Sequence, residues 1–526
     1  MTAATPLLVA LDSGTSVCKA VAFEASGAAV AAVSRPNPYR CAEDGAAEQD
    51  MARSWDDAAD VLADLAARLD GREVAALAVT GQGDGTWLAD AAGEPVGPAM
   101  IWLDARAGAL VDALRDSPAA RAAFAHTGTG LAACQQSAQL HWLRRHRPDL
   151  LARAAVALHC KDWLFLRLTG VLATDPSEAC FTYGAWRSRA YRAEVLEALG
   201  LAAFARLLPP VMDGTRESRP LSAAAAARTG LREGMPVVLG HVDVVCAALG
   251  GGVYGAGDAG VSLLGSTGMH LRLAASHEAV APCADMTGYC MAFPVSDHTL
   301  QAQSNLAATL NLDWAVDLAC QAARLAGAET GRGTMLTALD AAVPAARPGA
   351  IVFHPFISSA GERGPFTDPN ARAAVLGLER GVGLADLVRG IYEGLGFAAR
   401  DCYLAAGGLP AEVRVAGGAA RSPAVRSILA ACLDRPVRVV AQPEAGAAGA
   451  AMIAAVNLGL YPDMAACARD WVAPLLGPVE PPDPALAALY DRLFPVYREG
   501  YAALRGWWRH LHAARKEGSD GHAAAA

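Results

Sequence analysis

Lysine is nearly absent from this 526-residue sequence: Lys19, Lys161 and Lys516 stand among 44 basic residues, the rest being arginine. Basic excess is missing too, since 53 acidic residues leave a formal charge of −9, which speaks against a nucleic-acid binder. No run of about 18 strongly apolar residues occurs, so the 53% hydrophobic content, much of it alanine, does not predict a membrane span. The 12 cysteines form no CxxC pair, the closest two being Cys283 and Cys290, which excludes the usual zinc and disulfide frameworks and favours buried reduced thiols. The N-terminal MTAATPLLVALDSGT lacks a basic region and a long apolar core, so a cytoplasmic protein is expected.

What is present reads as alternating α/β layers. PLLVALDSGTSVCKAVAFEASG is strand, polar glycine turn, strand, and the pattern returns in GVSLLGSTGMHLRLA, about half a chain later. Two such hairpins suggest a duplicated architecture. Between them SWDDAADVLADLAARL has helical spacing with Ser54 as its N-cap, while VAALAVTG and MPVVLG read as strands. The glycine-rich stretch 250–260 is the expected boundary, giving one lobe over 1–250 and a second over 256–480. A helix from about Pro484 to Ala514, rich in Tyr and Trp, is expected to pack on the second lobe, followed by a disordered tail within 481–526.

Several positions carry chemistry. Asp12, Ser13, Gly14, Thr15, Ser16 and Lys19 combine backbone N–H groups, two hydroxyls, a carboxylate and a cation, which suits phosphate with a divalent ion and equally suits an ordinary β-turn. Asp243 stands where a strand enters a helix, as a ligand-touching carboxylate or as a cap at Val244. His241 reads as a structural histidine. Gly417, Gly418 and Ala419 follow a strand and would let a phosphate or flat ring approach the backbone, whereas AGAAGAAMIAAV reads as close-packed core. Gln82, Gly83, Asp84, Trp102, Asp104 and Arg106 set an aromatic platform beside carboxylate, amide and guanidinium groups, suited to a polyhydroxy ligand, with Gln135 and Gln136 as further polar contacts or a solvated helix start.

In order, the DSGTSxxK hairpin, EQDMARSW, IWLDAR, KDWLFLRLTG, TDPSEA, GHVD, GSTG, GERGPF and VAGGAARS resemble the FGGY family of carbohydrate kinases, from about Leu7 to about Tyr461. The resemblance implies two actin-like (ribonuclease-H-like) ATPase lobes with a cleft between them, ATP and Mg2+ as cofactors, and a small polyol or sugar as substrate. It implies Asp243 as general base, with Asp12 and Asp243 near the metal. Gly14, Thr15, Ser16 and Lys19 would meet one end of the nucleotide phosphates and Gly265, Ser266 and Thr267 the other, with Asn305, Asn311, Gly417, Gly418 and Ala419 bordering the nucleotide. Glu362 and Arg363 would form a structural salt bridge or hinge. TGQGDGTWL and GTGLAACQQS are most similar to members that phosphorylate a terminal hydroxyl of erythritol, the alternative being a ketopentose such as xylulose or ribulose. Family members are often dimers, so a homodimer is implied by the resemblance alone. A non-catalytic binder on this scaffold would be expected to lack Asp12 or Asp243, and an ATPase acting on proteins would leave TGQGDGTW and IWLDAR without a role.

Overall fold

The structure, a computed structural model, describes residues 6–255 and 257–523, with side chains to residue 515. Its first half is built from β1 (Leu7–Ser13), β2 (Val17–Phe23), β3 (Ala29–Pro36), α1 (Met51–Arg68), β4 (Val74–Gly81), α2 (Cys160–Thr169), α3 (Pro176–Tyr183), β5 (Pro236–Leu239) and α4 (Asp243–Gly250), among shorter elements. The second half adds β6 (Ala259–Leu264), β7 (Gly268–Ala274), β8 (Tyr289–Ala292), β9 (Thr299–Asn305), α5 (Leu384–Ala405), β10 (Glu412–Ala416), β11 (Val437–Val439), α6 (Ala445–Asn457) and α7 (Pro484–Ala523).

Two sheets repeat one plan. The first runs β5-β4-β1-β2-β3, with the edge pair Arg219–Pro220 beyond β5. The second runs β11-β10-β6-β7-β9, with β8 beyond β9. In both, the hairpin strands are antiparallel (β1 with β2, β6 with β7) and the next two strands are parallel to the hairpin's first. This is the arrangement of two actin-like lobes. Strands β1 and β4 are apolar almost throughout because both faces of the sheet are covered by helices, so side chains cannot alternate with solvent.

The helix α1 begins four residues earlier than its spacing suggests. Asp50 caps it, accepting from Arg53 N at 3.1 Å, and the expected cap Ser54 lies inside the helix, buried, with its Oγ 3.4 Å from Asn37 Oδ1. An aspartate with extended backbone is the better acceptor for the free N–H groups of a first turn.

Between the sheets two helices cross, α4 from the first half and α6 from the second. They pack against the faces of both sheets in one shared core that includes Leu8, Ala78, Val245, Val261, Leu271 and Met452. Small residues allow the crossing. A Cβ on Gly449 would stand 2.0 Å from Cys246 O, and one on Gly250 would stand 2.2 Å from Ala445 O. The small-residue segment is therefore core, although it returns to the sheet opposite the one that precedes it in sequence.

Helix α7 lays Tyr490, Phe494, Tyr497, Tyr501 and Trp508 on the second lobe. Its backbone continues to Ala523, past the Ala514 expected for its end, so the segment after Lys516 is helical where a tail without structure was expected. Residues 524–526, and the Lys516 side chain, lie outside the description. All 12 cysteines are free, ten of them buried. Among the described residues no helix is long and apolar enough to cross a membrane.

Candidate active site

The floor of the cleft holds two carboxylates. Asp12, one residue before the end of β1, pairs with Lys19 in the β1–β2 register, where burial pushes its carboxyl up to about 6, Lys19 opposing and Glu444 adding to the rise. The N-terminus of α6 meets it: a Cβ on Gly446 would stand 2.7 Å from Asp12 Oδ2, so only glycine lets the helix end approach this closely. Asp243 is the first residue of α4, and its Oδ1 accepts from Val244 N at 2.7 Å. Burial, then the charge of Asp12, pushes it up to about 7. Asp243 thus engages its own helix end as the first helical residue, the cap being Val242, and stands near enough to Asp12 to feel its charge.

Both carboxyls are raised by burial and Asp243 also by the charge of Asp12, a strain that a nearby cation would relieve. Among the described residues no group of three His, Cys, Asp or Glu side chains could hold a metal. Two carboxylates without a cage fit Mg2+, which keeps several waters and takes phosphate oxygens as further ligands.

The two glycine-turn hairpins, β1–β2 and β6–β7, hold the residues expected to meet phosphate. Trp102 Nε1 donates to Thr15 Oγ1 at 2.6 Å and Gln49 Nε2 donates to Thr15 O at 3.2 Å, so the first hairpin and the aromatic wall are one hydrogen-bonded unit. Asn37 Nδ2 bonds Gly14 O at 2.7 Å, and Ser16 is exposed. Lys19 is not free. Its Nζ lies 2.9 Å from Glu444 Oε2, both side chains partly exposed. Such pairs contribute about 1 kcal/mol or less, so phosphate can displace Glu444 at small cost. Lys19→Ala is expected to raise the KM for ATP by about 10-fold or more while the KM for the acceptor moves less than about 2-fold, in initial-rate measurements.

In the second lobe Gly265, Ser266 and Thr267 turn between β6 and β7, and the carbonyls of Gly265 and Ser266 accept from Thr309 and Ala308. Gly417 has φ +98°, with Leu264 O only 2.5 Å from where its Cβ would be, which sets the exposed Gly417–Gly418 backbone beside the end of β6; Ala419 opens the short helix that follows. Asn305 and Asn311 lie behind this turn, Asn305 paired with Gly268 across the sheet and Asn311 with its Oδ1 buried and without a partner. Asn305 is spent on His270 and Gly364 O, and Asn311 donates to Ala308 O and Pro355 O, both buried inside the lobe. Asn305 closes β9 and Asn311 stands in the first turn of the helix that follows, where each amide NH2 meets a backbone carbonyl.

The residues expected to meet the acceptor begin in the turn after β4. Asp84 takes φ +56°, a left-handed conformation aspartate tolerates, and the next residue, Gly85, has φ +81°. Gly83 is required because a Cβ there would stand 2.4 Å from Val242 Cγ2 and 3.4 Å from Glu178 Oε1. Asp84 Oδ2 accepts from Tyr289 OH at 2.9 Å and from Cys134 at 3.4 Å, while Oδ1 is buried without a partner. Burial raises this carboxyl. Gln82 Nε2 donates to Gln49 Oε1 at 2.7 Å, and its own Oε1 is likewise unpartnered. A cavity of about 340 Å³ opens beside Trp102, walled by residues 130–134 of the first lobe and by Thr287, Tyr289, Ser304 and Arg363 of the second.

Three expected ligand contacts are internal. Asp104 has its oxygens on Ala47 N and on Arg106, which also reaches Glu48 and stacks on Trp142. Gln135 stitches its own loop, accepting from Ala132 N and donating to Gly130 O, and Gln136 donates to Leu158 O. They shape the wall without offering free groups to a ligand. Glu362 and Arg363 do not pair as a hinge. Glu362 accepts the N–H groups of Leu306 and Arg363, whereas Arg363 bonds Ser304 Oγ at 2.8 Å and lies 5.9 Å over the Trp102 ring, across the cleft. Gln49, Cys134 and Glu178 also surround this turn; each lies in a motif the sequence shows (EQDMARSW, GTGLAACQQS, TDPSEA) but is not singled out there, and Tyr289 lies in none.

Burial pushes Glu362 up to about 7 from its ordinary 4.5. The folded protein therefore binds more protons than the unfolded chain between those values, and this contribution to stability falls as pH rises through that window. Glu362→Gln keeps an acceptor and removes the charge, so its Tm should exceed that of the parent at pH 8 and match it at pH 4.5, by scanning calorimetry.

Comparison with known proteins decides the family. The FGGY family of carbohydrate kinases matches with its N-terminal domain over residues 7–250 and its C-terminal domain over 260–458. The chain belongs to the FGGY family of carbohydrate kinases. It is 49% identical to erythritol kinase of Brucella abortus (strain 2308) over 518 residues, 97% of this chain and 98% of the relative. It is 30% identical to xylulose kinase of Escherichia coli (strain K12) over 466 residues, 85% of this chain and 90% of the relative. A solved gluconate kinase from Lactobacillus acidophilus superposes with a TM-score of 0.87 at 22% identity, covering 97% of this chain and all of that one, which shows the fold alone. As a member of the family, this kinase is a phosphotransferase with an alcohol group as acceptor.

Proposed function

We propose that this kinase transfers the γ-phosphoryl group of Mg2+–ATP to a terminal hydroxyl of erythritol, giving erythritol 4-phosphate, as a cytoplasmic enzyme of carbohydrate catabolism. The observation that carries the choice of acceptor is the set of unpartnered buried acceptors, Asp84 Oδ1 and Gln82 Oε1, beside a loop that ends near Asp243. Every carbon of a polyol carries a hydroxyl that can donate to such groups. A ketose replaces one of them with a carbonyl, which only accepts and meets a carboxylate unfavourably. The 49% identity to an erythritol kinase, against 30% to a xylulose kinase, supports the same reading.

In this reading Asp243 accepts the proton of the attacking hydroxyl as its oxygen bonds to phosphorus and ADP leaves. Lys19, Thr15 and Ser16 bind phosphate oxygens from one side and the Gly265–Thr267 turn from the other. Asp12 and Asp243 would hold Mg2+, which when bound neutralises phosphate charge and orients the leaving group. Trp102 and Arg363, from opposite lobes, cover the acceptor and exclude water that would otherwise take the phosphoryl group.

An ADP-release assay across erythritol, other tetritols, pentitols, ketopentoses and glycerol tests the reading. Erythritol should show the highest kcat/KM, by about 10-fold or more over a ketopentose. Preference for a ketopentose overturns the acceptor and leaves the kinase fold untouched.

A further inference from the structure

Behind the candidate base lies a buried ionic cluster that no step above uses. Lys161 is fully buried, with Nζ 2.6 Å from Asp162 Oδ1 and 2.7 Å from Asp175 Oδ1. Burial disfavours charge on each of the three, and their mutual attraction outweighs it, raising Lys161 and lowering both aspartates. Asp175 caps α3 and spends its second oxygen on Ser177, accepting both Ser177 N, at 2.6 Å, and Ser177 Oγ. Ser177 Oγ in turn accepts the backbone N–H of Val242 at 3.1 Å.

The proton directions in this chain are fixed by chemistry. An ionised carboxylate only accepts, so the single hydroxyl proton of Ser177 goes to Asp175, and an oxygen lone pair is left for Val242 N–H. Val242 is the residue before Asp243. It is also the residue whose Cγ2 would lie 2.4 Å from a Cβ on Gly83, in the turn that presents Gln82 and Asp84. The preceding carbonyl, His241 O, is held by Thr80 Oγ1 at 2.8 Å. The backbone entering the base is thus pinned on both sides, and one pin leads to Lys161.

We propose that Ser177 is a positioning residue for Asp243: its hydroxyl, oriented by Asp175 and Lys161, holds Val242 and thereby registers the base against the acceptor loop at Gly83. The inference rests on reading Asp243 as the general base.

Ser177→Ala removes the acceptor with minimal change of volume. Its kcat is expected to fall about 10- to 100-fold, as for a small displacement of a catalytic group, with the KM for ATP changed less than about 2-fold. Ser177→Thr, which keeps the hydroxyl, should recover kcat to within about 3-fold, and Ser177→Cys, a weaker acceptor, should fall between. In an Asp243→Asn background Ser177→Ala should cost nothing further, because the two act on one step. Full kcat in Ser177→Ala, or a loss that threonine does not restore, overturns the proposal even if Tm falls. Should the alanine variant fail to fold, parental kcat in Ser177→Cys overturns it equally. Near-normal turnover in Asp243→Asn would instead refute the base, and the inference with it, whereas an inert Asp243→Asn beside a fully active Ser177→Ala refutes this inference alone.

Discussion

Asp243→Asn lowers kcat by about 10³-fold or more and leaves ATP affinity nearly intact. The expectation follows from where the carboxylate stands. At the first position of α4 it is held by its own helix N–H, so asparagine can keep the geometry through its carbonyl while losing the ability to take a proton. General base removal typically costs 10²- to 10⁴-fold, and the loss of one of two cleft carboxylates adds to it. Asp12 and the hairpins remain to bind the nucleotide. Coupled kinetics with titration of ATP or a non-hydrolysable analogue would measure both quantities. Turnover within about 10-fold of the parent would mean that another group accepts the proton.

The second large effect belongs to Asp84→Asn, which is expected to lower kcat/KM for the polyol by about 10²- to 10³-fold while the KM for ATP stays within about 3-fold. Asparagine is the informative substitution because the residue has φ +56°, where Asn is nearly as comfortable as Asp and alanine would be strained. The change is then chemical. One of two carboxylate oxygens becomes an NH2 group, so either Tyr289 OH or the open Oδ1 side loses an acceptor. A site built to accept hydroxyl protons rejects a mismatched partner steeply. Initial rates over a range of erythritol concentrations decide it, and an unchanged kcat/KM would remove Asp84 from the acceptor site.

The parts of this protein legible in its sequence are those whose chemistry is local. DSGTS and GSTG mark their turns because glycine and hydroxyl residues must sit between two apolar runs, and both hairpins form where they are read. Asp243 is legible as a strand-to-helix carboxylate for the same reason. Long-range partners are not. Tyr289 meets Asp84 across 205 positions and Glu444 meets Lys19 across 425, and neither residue's surroundings announce it. Polar residues near a site also mislead: Asn305, Asn311, Asp104 and Gln135 have the right chemistry for a ligand, yet each satisfies backbone or side-chain groups of its own wall. Ser54 misleads similarly, since several residues before a helix can cap it and only geometry selects Asp50.

The glycine-mediated crossing of α4 and α6 has a mechanical meaning. The contacts at Cys246 with Gly449 lie three residues from Asp243 on one helix and three from Gly446, which abuts Asp12, on the other. Three residues are roughly 4.5 Å of helix. With backbone touching backbone, the joint can turn but has nothing to compress. Points near a pivot travel least, so any rotation about this crossing would barely alter the spacing of Asp12 and Asp243.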